Sequence, residues 1–176
     1  QAGVPFTANM PTEEVFSTPH ARKIDGTLRS TMPLSYNGKL IDGMAFRFKD
    51  GKVVEFSAKE GQDVLEKAMA QDEGAKSLGE IALVPYDSPI SNTKVIFMNT
   101  LFDENASCHM AIGEAYPVCL KGGESMSREE LIAAGVNDSL VHVDFMFGTA
   151  DLEIEGMTKD GQTVPIFRNG DFAFTE

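Results

Sequence analysis

The chain has 176 residues, 42% of them hydrophobic, which is enough apolar material for one globular domain and too much for a disordered polymer. Its 15 basic side chains against 27 acidic ones leave a net charge of -12, and no local basic stretch offsets it, so nucleic acid is excluded as a partner. No apolar run approaches the roughly 20 residues of a bilayer-spanning helix, so no membrane association is expected.

The start at Gln1, with no basic and then apolar leader, reads as that of a fragment without a signal peptide. Cys108 and Cys119 are too few and too irregularly placed for a disulfide framework, and no Cys-x-x-Cys pair is present. They read as reduced thiols of a cytoplasmic protein.

Residues 1–22 carry Pro5, Pro11 and Pro19, which breaks any long helix and predicts an extended loop with at most a short turn. Glu13 and Glu14 lie inside it, and the flanking Met10, Val15 and Phe16 are apolar enough to turn one carboxylate inward. His20, after Pro19, reads as an exposed loop residue. From Thr27 the pattern is that of strands. Asn37-Gly38 and Asp50-Gly51 are signals for tight hairpins whose central residues need positive φ, and Met44, Phe46 and Phe48 alternate with polar neighbours. Residues 28–57 are therefore expected to form an antiparallel meander. Val64, Leu65, Ala68 and Met69 predict a helix over 60–73, with Gly74 ending it.

Leu78 to Val84 is a short apolar run bounded by Gly79 and Pro85, a buried strand with one acid, Glu80, embedded in it. A carboxylate there costs several kcal/mol unless it is paired, hydrogen-bonded or bound to a cation. Residues 94–98 read equally as a strand or a helix start. The stretch 99–116 then places Glu104, His109 and Tyr116 at five- and seven-residue intervals among small and apolar residues. Ser127 and Glu130 form a capping box for a short helix that Gly135 terminates. Residues 140–147 alternate as a strand, with His142 and Asp144 on one face and Val141, Val143 and Phe145 on the other. Residues 152–155 and 164–167 flank a turn at Lys159-Asp160-Gly161-Gln162, whose Lys-Asp-Gly echoes residues 49–51 as a weak hint of a repeat. The fold class expected is α+β, with a mixed, largely antiparallel sheet and a few short helices.

Collected, the buried-looking polar groups are Glu14, Glu80, Glu104, His109, His142 and Asp144, with Tyr116 nearby. Two imidazoles with three or four carboxylates suit zinc, cobalt or manganese better than calcium, which prefers oxygen alone. The set exceeds what one open catalytic ion needs, whereas two ions bridged by a carboxylate would use it all. Two other readings compete. A non-haem iron oxygenase also uses two histidines and one carboxylate, but its usual order places His-x-Asp before the distal histidine, and three acids would go unused. A structural or dimerisation module would satisfy the same cluster by hydrogen bonds.

Four segments, Asn9-Met-Pro-Thr-Glu-Glu-Val-Phe16, Leu34-Ser-Tyr-Asn-Gly38, Asn99-Thr-Leu-Phe-Asp-Glu-Asn-Ala-Ser-Cys-His109 and His142-Val-Asp144, resemble the carboxy-terminal catalytic portion of the M29 metallo-aminopeptidases, of the aminopeptidase T and S type. The resemblance covers nearly the whole chain. It implies that residues 1–176 are the metal-binding catalytic domain of a larger two-domain enzyme whose amino-terminal domain is absent. It implies further that Glu14, Glu80, His109, His142 and Asp144 bind two divalent metal ions, with Glu80 as the bridging candidate. Glu104 is implied as a ligand or as the base at the nucleophilic water, and Tyr116 as a hydrogen-bond donor to the tetrahedral oxyanion. The implied activity is removal of amino-terminal residues from peptides with a free amino terminus by a two-metal activated water, in an enzyme that is usually a homodimer.

Overall fold

The computed structural model describes Met10 and residues 12–174. Pro5, Pro11 and Asn9 of the expected amino-terminal loop and motif lie outside the described residues.

Twelve short strands, four α-helices and three short 3-10 helices follow one another along the described chain. Strands β1 (Val15–Ser17), β2 (Gly26–Arg29), β3 (Leu34–Tyr36), β4 (Lys39–Ile41), β5 (Ala45–Lys49) and β6 (Lys52–Ser57) lead into helix α1 (Gln62–Met69). Strand β7 (Leu78–Leu83), helices α2 (Pro89–Asn92) and α3 (Thr100–Glu104), and strand β8 (His109–Gly113) make up the centre. Helix α4 (Arg128–Ala134) and strands β9 (His142–Met146), β10 (Ile154–Met157), β11 (Thr163–Arg168) and β12 (Asp171–Phe172) complete it. The strands form sheets in the orders β1-β7-β8-β9, β10-β11-β12, β2-β5-β6 and β3-β4, and the pairings are antiparallel. The fold is α+β. No helix among the described residues is long and apolar enough to cross a membrane.

Both predicted tight hairpins form, with Asn37 and Gly38 at φ 50° and 72° and Asp50 and Gly51 at φ 50° and 82°. The single meander expected over 28–57 does not. After β2 the chain leaves its sheet: Thr31 donates its N–H to the Met146 carbonyl of β9, and β3 and β4 then pair only with each other. The Lys-Asp-Gly echo also fails as a repeat. Residues 158–162 form a longer loop in which Thr158 N–H bonds the Gln162 carbonyl and only Gly161 has positive φ.

Helix α1 is shorter than the predicted 60–73. Gly61 enters it at φ 73°, with its α-carbon so close to the Leu40 carbonyl that an added Cβ would lie 2.4 Å from that oxygen. At the other end the Asp72 carboxylate captures the Ala75 N–H, which turns the chain out of the helix. Residues 94–98 are neither strand nor helix; Lys94 and Met98 both sit at φ 55°, and Val95, Ile96, Phe97 and Met98 are exposed. Where a loop was expected at the amino terminus, Val15–Ser17 adds an edge strand to β7, pairing Phe16 with Ala82. His20 is half-buried rather than exposed, its ring packed against Gly135.

The central sheet β1-β7-β8-β9 is what positions the polar cluster. One face belongs to the core: Leu78, Ile112, Val143 and Phe145 pack with Phe46, Phe48, Leu65 and Met69, and the Phe46 and Phe145 ring centroids are 4.8 Å apart. The register of the pairings places Glu80, Ala111 and Asp144 in one cross-strand row of the opposite face, next to the row Ala82, His109 and Met146. Leu78 and Glu80 are two residues apart and in a regular strand would share a face. They do not, because a bulge at Gly79 inserts one extra residue opposite β8 between the Leu78–Ile112 and Glu80–Ala111 pairs. Glycine is required there: a Cβ on Gly79 would lie 2.1 Å from the Glu114 carbonyl oxygen.

Candidate metal centre

Glu14, Glu80, Glu104, His142, Asp144 and Tyr116 line one cleft of about 300 Å³, walled by Phe16, Leu101 and Val118, and His109 lies beneath it. Glu14 precedes β1 by one residue and turns inward with a side chain 4% exposed, whereas Glu13 is exposed. The choice between the adjacent acids thus follows from strand alternation. Glu80 and His109 are 7% and 1% exposed, and His142 and Asp144 are 20% and 10% exposed.

His142 Nε2 is 3.2 Å from Glu80 Oε2 and 3.3 Å from Asp144 Oδ1. His109 Nε2 is 3.9 Å from both Glu80 Oε1 and Glu14 Oε1. Two ligands about 2 Å from one tetrahedral ion stand about 3.3 Å apart, so these are separations an ion can bridge. Three groupings have all their ligand atoms within 4.8 Å of one another: Glu14 with Glu80 and His109; Glu80 with His142 and Asp144; and Glu104 with His109 and Asp144. Glu80 is common to the first two. Glu104, the last residue of α3, enters only the third.

The second ring nitrogen of each histidine decides what the first can do. His109 Nδ1 is 3.0 Å from the Ser107 carbonyl oxygen and His142 Nδ1 is 2.8 Å from that of Glu114. A carbonyl only accepts, so each Nδ1 carries the hydrogen and each Nε2 presents a lone pair, or a second proton, to the carboxylates. Backbone-anchored Nδ1–H with Nε2 aimed at acids is the usual support of a metal-ligating imidazole. Burial works against the charged His142 ring, but hydrogen bonds to Asp144 and Glu80 outweigh it and hold its pKa up at about 10. The cluster thus demands a positive charge, and without a metal a proton supplies it.

The donor set fits divalent cations. Glu80 and Asp144 find their ion pairs among the described residues in the two imidazoles. Nitrogen and carboxylate oxygen ligands in such groupings suit zinc, cobalt or manganese. Tyr116 is 42% exposed at the rim, its ring centroid 5.0 Å from that of His142. Burial, with the charges of Glu80, Asp144, Glu104 and Glu114, pushes its phenol up to about 12, so the hydroxyl stays a hydrogen donor at neutral pH.

Several residues of the site carry no obvious signal in the sequence. Ala111, fully buried, sits in the row between Glu80 and Asp144, and its small side chain leaves the floor of the cluster open. A signal did exist for it: two residues past His109 on a strand, it must share the histidine's face. Glu114 and Ser107 act through main-chain carbonyls, which no side-chain pattern reveals. Asn105 is fully buried and accepts the Thr12 hydroxyl at 2.5 Å.

The chain is 58% identical over 174 residues to aminopeptidase 2 of Geobacillus stearothermophilus, covering 99% of this chain and 42% of that protein. It is 46% identical over 162 residues to aminopeptidase T of Thermus aquaticus, covering 92% of this chain and 39% of that protein. The solved structure of wild-type AmpT from Thermus thermophilus superposes with a TM-score of 0.87 at 44% identity, covering 94% of this chain and 41% of that one. The chain therefore spans about two fifths of the length of these relatives. A family model described as thermophilic metalloprotease (M29) matches residues 1–172, and the chain belongs to that family.

Proposed function

We propose that this chain is the carboxy-terminal catalytic domain of a two-domain, metal-dependent aminopeptidase that uses two divalent ions. The observation that carries the reading is the position of Glu80, whose two oxygens face the separate groupings around His109 and His142. The names of the relatives, all aminopeptidases, supply the substrate class: peptides with a free amino terminus.

Glu14, Glu80 and His109 would hold one ion, and Glu80, His142 and Asp144 the other. Zinc, cobalt or manganese bound there would supply Lewis acidity toward the scissile carbonyl and an acidified water. The protein residues do the rest. Glu104, lining the cleft near both His109 and Asp144, takes the proton from water and passes it to the leaving amine. Tyr116 donates its phenolic hydrogen to the oxyanion of the tetrahedral intermediate. The carboxylates of the cleft attract the substrate's ammonium group, which makes the site an exopeptidase's. The whole enzyme is read as a cytoplasmic homodimer.

Elemental analysis and aminopeptidase assays on the full-length protein and its Glu80→Gln variant test this. The substitution removes an anionic ligand from both groupings, so both ions are lost and activity falls more than about 100-fold, beyond what changes behind the ligands cause. Wild-type activity that survives both chelation and the substitution would refute the mechanism.

A further inference from the structure

The groupings around His109 and His142 are flanked by two different networks of residues, none of which belongs to a candidate ligand grouping. On one side Thr12 donates its hydroxyl to Asn105 Oδ1 at 2.5 Å and accepts the Glu14 N–H at 3.4 Å. Asn105 in turn donates its amide to the Leu101 carbonyl, 2.8 Å away, and so ties the chain leading into β1 to helix α3. This tether fixes Glu14 next to His109.

On the other side, His142 is the first residue of β9, where a strand end has little lateral support. Its approach, residues 137–141, is gripped from two directions. The Asp72 carboxylate accepts the Ser139 hydroxyl at 2.8 Å and the Leu140 N–H at 2.6 Å, while also holding the Ala75 N–H at 2.8 Å. Glu114 uses its carboxylate to accept the Ser139 N–H at 2.6 Å and its carbonyl to orient the His142 ring at 2.8 Å. Asn137 adds its amide to the Gly74 and Gly113 carbonyls at 2.8 and 2.5 Å. Leu140 is 84% exposed, so at the centre of this segment the hydrogen bonds, rather than side-chain packing, hold the chain, with buried Asn137 and core-packed Val141 on either side. Partial burial pushes the Asp72 carboxyl up, and the donors from Leu140, Ser139 and Ala75 more than reverse this, which keeps it ionised as an acceptor.

We propose that Thr12 with Asn105, and Asp72 with Ser139 and Glu114, are separate positioning devices, the first for the ion site of Glu14 and His109 and the second for that of His142 and Asp144. The inference rests on the two-ion reading. Each device can then be loosened alone. Asp72→Asn replaces one acceptor oxygen with an NH2 that cannot receive the Leu140 N–H; Thr12→Val removes the hydroxyl and keeps the shape.

The test is titration of the metal-free full-length protein with cobalt, followed by calorimetry and visible absorption. His109→Ala and His142→Ala serve as references that assign each binding step. Asp72→Asn is expected to weaken the step lost in His142→Ala by about 10-fold or more and leave the other within a factor of about two, and Thr12→Val to do the reverse. Ser139→Ala, a smaller change, should follow Asp72→Asn in direction and stands in for it if that variant does not fold. Equal weakening of both steps by either variant, or no change in either step, overturns the proposal. A wild-type protein that binds a single cobalt ion defeats the two-ion reading itself, and this proposal with it. Two wild-type steps without the dissociation defeat only the positioning.

Discussion

The His109 half of the candidate centre and the His142 half use the same ligand types in different surroundings. His109 and Glu14 are 1% and 4% exposed, whereas His142 and Asp144 are 20% and 10% exposed at the rim beside Tyr116. Charge in the buried half is costly and must be matched permanently, while charge in the open half is cushioned by water. Under the proposed two-ion reading, the contrast would separate an ion held away from solvent from one open to solvent and substrate.

The strongest blow to both halves is a side chain driven between them. Ala111→Leu places a large group in the row between Glu80 and Asp144, and both ions are expected to be lost along with activity, with about 1–3 kcal/mol of stability. Calorimetric metal titration and chemical denaturation check this. Retention of either ion would show that the row is not the floor of the site.

Tyr116→Phe touches only the open half. Loss of one oxyanion donor is expected to lower kcat about 100-fold with both metal-binding steps unchanged. A change in metal affinity instead would make the phenol a support of His142, whose ring it faces.

Single-histidine variants compare the halves directly in the metal-free protein. His142→Ala breaks the pairs of a protonated ring with Glu80 and Asp144 at 3.2 and 3.3 Å and should cost about 3–5 kcal/mol, and His109→Ala, whose nearest carboxylate oxygens are 3.9 Å away, distinctly less. Equal losses in urea denaturation would erase the distinction.

The last contrast is one of pH. The folded His142 pKa, about 10, lies above its ordinary 6.5, so protonation stabilises the metal-free fold fully below about 6.5. That contribution is lost as pH rises through about 10. The Tm of the metal-free protein should fall across this window, and the metal-loaded protein, whose ion takes the proton's place, should not follow it. Proton release on metal binding near pH 7, measured in buffers of different ionisation enthalpy, reports the same exchange.

Side chains governed by a strong local rule are legible in the sequence alone. Asn37-Gly38 could only be a tight turn, His142 and Asp144 had to share a face, and Glu80 in an apolar strand had to find a counter-charge. The apolar neighbours pointed to one inward carboxylate of the Glu13–Glu14 pair without saying which; the alternation leading into β1 turns Glu14 inward and Glu13 out. What escaped depended on distant partners. Asp72 and Ser139 meet across 67 positions, and Thr12 and Asn105 across 93, with nothing local to announce either contact. Strand β1 has three residues after a proline-rich lead and exists because β7 offers it an edge. The meander failed for a similar reason: Thr31 bonds β9 rather than continuing its own hairpin.

The bulge at Gly79 has a meaning for how this gene segment tolerates change in length. A strand is a two-letter alternation, inside and outside, and one extra residue is a frame shift in that code. Deleting Gly79 would remove the extra residue that lets Leu78 and Glu80 face opposite ways, and the register on one side of the gap would have to slip. Either the Glu80 carboxylate would enter the core against Phe145 and Val143, or Leu78 would leave it for the acidic cleft. Point substitutions elsewhere in β7 are changes of spelling; loss of this single glycine is a change of reading frame for the whole centre.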